Sequence, residues 1–144
     1  MIRDPRFPLL LVMVVLPNTA TAACLLDDYS VRGEYERSAA VVTGQVISER
    51  PVAESGGYYD GIVYIVNVQA VYRSDIHGLV DIFSENSSGR FPMQPHGRYV
   101  LFVSRARDRL MVDNCGNSGP VSEKTEVLRA LKDIARPPRS GQKP

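Results

Sequence analysis

Apolar residues along this chain fall into one unbroken run near the start and a series of shorter runs that alternate with polar residues. Alternation with a period of two is typical of a strand, because neighbouring side chains on a strand point to opposite faces. The longest alternating run places Tyr64 and Val66 on one apolar face, while the other face turns polar at Asn67. Gly44 lies inside the first alternating run and indicates a bend or a bulge. Together these runs predict five strands, over residues 39–48, 58–72, 79–84, 99–103 and 110–113.

Two further segments predict helices, one before the strands and one after them. Residues 28–38 space Val31 and Tyr35 as one helical face. After the last strand, Ser122 is placed to cap a second helix. The apolar stripe of that helix consists of Val127, Leu128, Leu131 and Ile134. The chain is therefore predicted to be mainly β, a five-stranded barrel of the OB (oligonucleotide/oligosaccharide-binding) type with a short N-terminal helix and a C-terminal helix packed on it. A β-sandwich is the competing architecture.

The unbroken apolar run, residues 9–16, follows Arg3 and Arg6 and ends at Pro17, ahead of several small residues. This order is typical of a secretory signal peptide, with a buried core helix as the alternative interpretation. The run is too short to span a bilayer, which needs about 20 apolar residues. We therefore predict a signal peptide over 1–23, one domain over 24–135 and a disordered tail over 136–144. The exported protein is expected to be secreted or periplasmic.

Both cysteines of the chain, Cys24 and Cys115, lie in the exported part. An oxidising compartment favours their pairing, which would join the first residues of the domain to its last strand. Cleavage after Ala23 would leave Cys24 first, whereas cleavage after Ala22 would leave one residue before it. A run of small residues that ends at a cysteine is also typical of a lipoprotein signal, so a lipid anchor at Cys24 and two free thiols stay open as alternatives.

The charge of the exported part gives no general attraction to nucleic acid or to an anionic membrane. The chain has 17 Lys and Arg against 16 Asp and Glu, and the signal peptide holds two of the former and one of the latter, so the exported part is formally neutral. Locally, Arg105, Arg107 and Arg109, with Arg98 nearby, could bind a polyanion. Alternate arginines in a turn are more often solvated, and we favour that interpretation.

No combination of residues predicts catalysis. His77 and His96 stand in separate predicted loops, without the spacing of metal ligands. Ser87 and Ser88 lack the G-x-S-x-G frame of a nucleophilic serine. We therefore expect no catalytic residue, no cofactor and no metal held by the free protein.

Five segments occur in an order that is similar to a known family: Cys24, 38–46, 71–74, 97–103 and 110–115. In this order the chain resembles the netrin-like domain, in particular the inhibitory domain of the tissue inhibitors of metalloproteinases. That resemblance implies an OB-type barrel without enzymatic activity, and an N-terminal edge that docks on a protease. It implies that the α-amino group and carbonyl oxygen of Cys24 bind the zinc of that protease. The family begins Cys-x-Cys, whereas Leu25 and Leu26 follow Cys24 here.

The resemblance implies a partner-binding edge made of Cys24, Leu25, Leu26, Ser87 and Ser88. We therefore expect an exported binding module that docks on a protein partner, with a zinc metalloprotease as the candidate. The alternative is a structural or lipid-anchored envelope protein of unknown partner. Neither a nucleic-acid ligand nor a transmembrane segment is expected.

Overall fold

The computed structural model describes Cys24, residues 28–53 and residues 59–136. Its elements, in chain order, are α1 Val31–Arg37, β1 Ala40–Ala53, β2 Tyr59–Arg73, β3 Leu79–Glu85, β4 Arg98–Ala106, β5 Arg109–Met111, β6 Gly119–Pro120 and α2 Thr125–Ile134. The predicted mainly β chain and its two helices are thus confirmed. The predicted signal peptide and residues 137–144 of the predicted tail lie outside the described residues.

The described strands belong to one six-stranded sheet, with the order β1-β2-β3-β5-β4-β6 and an additional pairing between β1 and β4. The pairings of β1, β2, β3, β5 and β4 therefore close into a ring. Residues 40–45 of β1 pair with β4 on one side, and residues 41–53 pair with β2 on the other. The pairing of β3 with β5 is parallel, and every other pair is antiparallel. Closing the ring gives these strands neighbours on both sides over part of their length.

Gly44 lies at a bulge in the pairing of β1 with β2, close to the point where β1 stops pairing with β4. The register of β1 against β2 shifts between Thr43 and Gly44. A methyl group on Gly44 would come within 2.5 Å of the Val66 side chain and 2.9 Å of the Asn67 carbonyl oxygen. The bend or bulge that the sequence predicts here is therefore confirmed. A glycine is required because the backbone of β2 passes so closely.

Two apolar clusters lie on opposite faces of the sheet. The cluster inside the ring includes Tyr64 and Val66, which are almost completely buried, so the apolar face predicted for β2 is confirmed. Its other buried members are Ala40, Val42, Val46, Ile82, Phe91, Met93, Tyr99, Leu101, Val103 and Val112. The second cluster lies outside the ring and joins both helices to β1 and β4. It consists of Val41, Val100, Phe102 and Leu131, with Val31, Tyr35, Tyr72, Val127 and Leu128 packed around them.

Several boundaries differ from the prediction. Strand β1 runs five residues past the predicted end at Ser48 and includes Pro51, which is tolerated because this part of β1 pairs with β2 alone. Strand β6 was not predicted, because two residues are too few to show alternation. Ser122 does not cap α2. It lies in a 3-10 turn over Val121–Glu123, and Lys124 takes the capping position without a side-chain hydrogen bond.

Candidate functional site

Cys24 and Cys115 form a disulfide bond, as the sequence predicts. Their Cα atoms lie 5.7 Å apart, although the two residues are 91 positions apart in the chain. Cys24 is exposed and Cys115 is half-buried. The bond holds the start of the domain beside the segment that follows β5. Leu25 and Leu26, the next two predicted contact residues, lie outside the described residues.

Asn114 attaches the Ser87–Ser88 loop to this disulfide. Its side-chain amide donates to the carbonyl oxygen of Ser88 at 2.9 Å, and its backbone N–H donates to the carbonyl oxygen of Gly89 at 3.1 Å. Within the loop, the Ser87 hydroxyl accepts from the Gly89 N–H at 3.1 Å. Both serines are exposed. The structure thus brings Cys24 and the two serines, far apart in the sequence, to one edge of the molecule.

We call this edge the disulfide ridge and define it as Cys24, Ser87, Ser88, Asn114 and Cys115. Its backbone is fixed by one covalent bond and by hydrogen bonds on both sides of Cys115. Asp113 contributes one of these, because its carboxylate accepts from the Cys115 N–H at 2.8 Å.

No protein-family model matches this chain, and no characterised protein matches its sequence.

Hydrogen bonds between Glu34 of α1 and Asn117 attach the helix to the segment that follows Cys115. One carboxylate oxygen of Glu34 accepts from the backbone N–H and from the side-chain amide of Asn117, each at 2.7 Å. The same amide donates to the carbonyl oxygen of Tyr29 at 2.8 Å. Between Cys115 and Asn117, Gly116 has a φ of +122° and faces the Glu34 carboxylate so closely that a Cβ atom would collide with it. These contacts set the path of the chain immediately after the disulfide.

Glu34 is half-buried beside a cleft of about 170 Å³ whose lining includes Phe102 and Cys115. Burial raises the pKa of the Glu34 carboxyl, and the nearby Asp113 carboxylate adds to this effect. The two donations from Asn117 and the positive charge of Arg37 act in the opposite direction. By contrast, the pKa of exposed Asp28 is lowered, because its carboxylate accepts from the Ser30 N–H at 2.8 Å.

Sequence reasoning missed Glu34, Asn114 and Asn117, although these residues attach the ridge to the rest of the domain. The only signal for them was the turn-forming composition around Cys115, where Asp113, Asn114, Gly116 and Asn117 stand together. Such residues predict a turn, but they do not say which distant backbone groups their side chains contact.

The four arginines that the sequence groups do not stay together. Arg105 and Arg109 line one cleft with Arg50, a residue that no sequence pattern grouped with them. Arg107 lies at the tip of the turn between β4 and β5, with a φ of +56°, and lines a neighbouring cleft that Arg109 also lines. Arg98 is elsewhere, where it donates to the Gln69 side chain at 3.0 Å.

His77 and His96 are both exposed. Among the described residues, no three His, Cys, Asp or Glu side chains gather in a way that would hold a metal ion. Nor does any helix in that part of the chain have the length and apolar character needed to cross a membrane.

Proposed function

We propose that this protein is an exported, non-enzymatic binding domain that docks on a protein partner through the disulfide ridge. The proposed partner is a zinc metalloprotease. The observation that carries the proposal is the pair of hydrogen bonds from Asn114, which holds the Ser87–Ser88 loop beside the disulfide of Cys24. Two exposed segments that a docking edge would need are thereby joined in one surface.

A ridge of this construction is suited to binding a protein. Association costs conformational entropy wherever loops must become ordered, and a surface that is already fixed avoids much of that cost. Here the backbone at Cys115 is held by the disulfide, by Asp113 and by the Glu34–Asn117 hydrogen bonds. The hydroxyl groups of the exposed serines can form hydrogen bonds with a partner, and their small side chains do not obstruct it.

The chemistry proposed at the zinc depends on the backbone of Cys24. Removal of residues 1–23 would turn the Cys24 nitrogen into a free α-amine with a lone pair, whereas a preceding residue would make it an amide nitrogen. The amine nitrogen and the carbonyl oxygen of the same residue can form a five-membered chelate. Catalytic zinc sites keep a position open for water, and this chelate would replace that water.

The closed ring of strands is, in this proposal, a barrel of the OB type. A five-stranded Greek-key barrel needs neighbours that are not consecutive in the chain. The β1–β4 pairing and the parallel β3–β5 pairing are of this kind. Strand β1 pairs with β4 on one side and with β2 on the other, and its register against β2 shifts at Gly44.

The disulfide favours this proposal over a lipid-anchored envelope protein. A lipoprotein anchor uses the sulfur of its N-terminal cysteine for a thioether bond. The Cys24 sulfur is bonded to Cys115, and one sulfur atom cannot form both bonds.

The proposal is tested by inhibition assays with catalytic domains of zinc metalloproteases. Two forms of the protein are compared, one beginning at Cys24 and one carrying an added alanine before it. We expect the first form to inhibit and the second to be at least about 100-fold weaker, because loss of the chelating amine removes about 2.7 kcal/mol or more. Equal inhibition by both forms would overturn the chelation mechanism. Absence of inhibition by the first form would overturn the choice of partner.

A pair of serine variants tests the ridge itself. Ser88→Tyr adds a bulky side chain on the ridge, whereas Ser122→Tyr adds the same side chain at an exposed position in the turn before α2. We expect Ser88→Tyr to abolish binding to the protease and Ser122→Tyr to leave it unchanged. Equal binding by the two variants would show that docking uses another surface.

A further inference from the structure

A second candidate site lies on the outer face of the sheet, away from the ridge. Pairing places Arg50 of β1 opposite Val63 of β2, and Val63 opposite Phe83 of β3. Residues directly opposite one another on neighbouring strands share a face. Because Tyr64 and Ile82 point into the ring, their neighbours Val63 and Phe83 point out of it.

These outward-facing apolar residues are covered, although neither of the two described helices shares a core cluster with them. Val63 and Phe83 are each only 8% exposed, and neither belongs to one of the two core clusters. The Arg109 guanidinium carbon lies 4.5 Å from the centre of the Phe83 ring, a cation–π contact. Long arginine side chains therefore cover an apolar patch on the outside of the ring.

The result is a cleft of about 460 Å³, which we call the arginine cleft. Its volume falls within the range of small-molecule sites. Val63 and Phe83 are among its apolar lining residues, and Arg50, Arg105 and Arg109 supply its positive charge. None of the five residues that define the disulfide ridge lines it.

The positive groups in the arginine cleft are only partly neutralised. Arg50 pairs with Asp81 at 3.2 Å. Arg105 and Arg109 form no ion pair with any residue that the structure describes, and Asp108 is the second acidic residue in the lining. A guanidinium group offers planar, paired N–H donors that match the oxygens of a carboxylate, sulfate or phosphate.

We propose that the arginine cleft binds a small organic anion, whose charged group is held by Arg105 and Arg109 and whose apolar body lies against Val80 and Leu110, two half-buried apolar residues of the lining. This function is separate from docking through the ridge. A long polyanion fits less well, because the adjoining cleft is mixed in charge: Asp60, Glu85 and Asp108 line it together with Arg107 and Arg109. The confined volume and the apolar lining favour a ligand of one or two rings.

The test uses naphthalene-2-sulfonate as the probe and naphthalene-2-sulfonamide as its neutral counterpart. Each is titrated into the exported domain while backbone amide shifts are followed by NMR. We expect the sulfonate to shift amides of β3 and β5, and to bind about tenfold more tightly than the sulfonamide, the factor set by one charge-assisted hydrogen bond. Equal affinity for the two probes, shifts confined to other regions, or no saturation by about 10 mM would overturn the proposal.

Arginine variants assign the effect to named side chains. Arg105→Ala and Arg109→Ala are each expected to weaken sulfonate binding about tenfold. Arg98→Ala is the matched control, since Arg98 is exposed and bonds to Gln69 outside the cleft. If Arg109→Ala unfolds, Arg109→Lys replaces it in the test, because lysine keeps the positive charge over Phe83. Arg109→Lys should weaken sulfonate binding less than threefold.

A sulfated oligosaccharide and single-stranded DNA complete the test. If either binds more tightly than the sulfonate, and if Arg98→Ala weakens that binding as much as Arg109→Ala does, the protein has a diffuse polyanion surface and the proposal is wrong. If neither longer ligand binds more tightly than naphthalene-2-sulfonate, the small-anion assignment holds.

Discussion

The disulfide ridge and the arginine cleft lie on one small domain but are built in opposite ways. The ridge is a stretch of backbone, held by a disulfide and by hydrogen bonds from Asn114 and Asn117. The cleft is a set of long side chains over a sheet face, held by one exposed ion pair and one cation–π contact. A fixed backbone keeps its shape before binding, whereas exposed arginines adjust to what they bind. The two constructions suit a protein surface and a small anion, respectively.

This difference follows from where each site lies relative to the ring. The cleft residues belong to strands or to the tight turn between β4 and β5, so pairing fixes their backbone and only the side chains remain free. The ridge residues lie outside the strands, so strand pairing does not hold their backbone. Their positions therefore need a covalent bond and side-chain hydrogen bonds instead. Perturbing those bonds should change the ridge and spare the cleft.

Removing the disulfide is expected to give the largest effect. The double variant Cys24→Ser, Cys115→Ser releases a loop of 91 residues and should lower the free energy of unfolding by about 4.5 kcal/mol. Urea unfolding of the variant and the native domain measures this difference. Under conditions where the variant remains folded, protease docking should be lost while sulfonate binding persists. A loss of stability below about 1 kcal/mol would show that the disulfide does not organise the ridge.

Gly116→Ala should come next, with a loss of about 2 to 3 kcal/mol. The backbone at Gly116 has a φ of +122°, and a methyl group there would collide with the Glu34 carboxylate. Gly78→Ala is the matched control, because Gly78 also has a positive φ, +72°, but faces open space. The control should lose only about 1 kcal/mol. Equal losses of stability in the two variants, measured by thermal or urea unfolding, would show that the collision with Glu34 contributes nothing.

Glu34→Gln is expected to have a smaller, pH-dependent effect. Burial raises the pKa of Glu34 in the folded protein above its value in the unfolded chain. The protonated carboxyl therefore contributes stability below the unfolded pKa, near 4.3, and this contribution is lost as the pH rises through the higher folded pKa. A glutamine does not titrate, so the variant should gain stability relative to the native protein as the pH rises to 7. Urea unfolding at several pH values measures this trend. A trend of opposite sign would mean that the Asn117 hydrogen bonds outweigh burial.

The smallest effect is expected in the arginine cleft. The side chains of Arg50 and Asp81 are 59% and 60% exposed, so their ion pair should contribute no more than about 0.5 kcal/mol to folding. A double-mutant cycle with Arg50→Ala and Asp81→Ala measures the coupling. The coupling should fall further at about 1 M salt, where the Debye length is only about 3 Å. A coupling energy above about 1 kcal/mol would show that Arg50 and Asp81 hold each other in one arrangement, contrary to the adjustable side chains described for the cleft.

Much of the ring was predictable, because alternation is a local property of the sequence. The buried face of β2 and the bend at Gly44 both follow from a few neighbouring residues. The arm of β1 beyond Ser48 was not predicted, since its polar residues and Pro51 give no alternating signal. Strand β6 depends wholly on its pairing with β4.

The two sites also differ in how much of each could be predicted from the sequence. Cys24, Ser87 and Ser88 were named from the sequence, and the structure brings them together, but their role in docking stays a prediction. Asn114 joins the serine loop to the disulfide, and Asn117 bonds to Tyr29 and Glu34. Both act on groups far away in the sequence, which no local pattern reveals. Arg50 and Arg105 line one cleft because strands that are far apart in the sequence are neighbours in the sheet, so the arginine cleft had no complete counterpart in the sequence.

The most direct test of the account is a mass measurement on the exported, unreduced protein after proteolytic digestion. We expect one linked peptide pair that contains Cys24 as its N-terminal residue and joins it to Cys115. Alkylation of both cysteines without reduction would contradict the account, as would a lipid mass on Cys24 or a mature chain that begins after it.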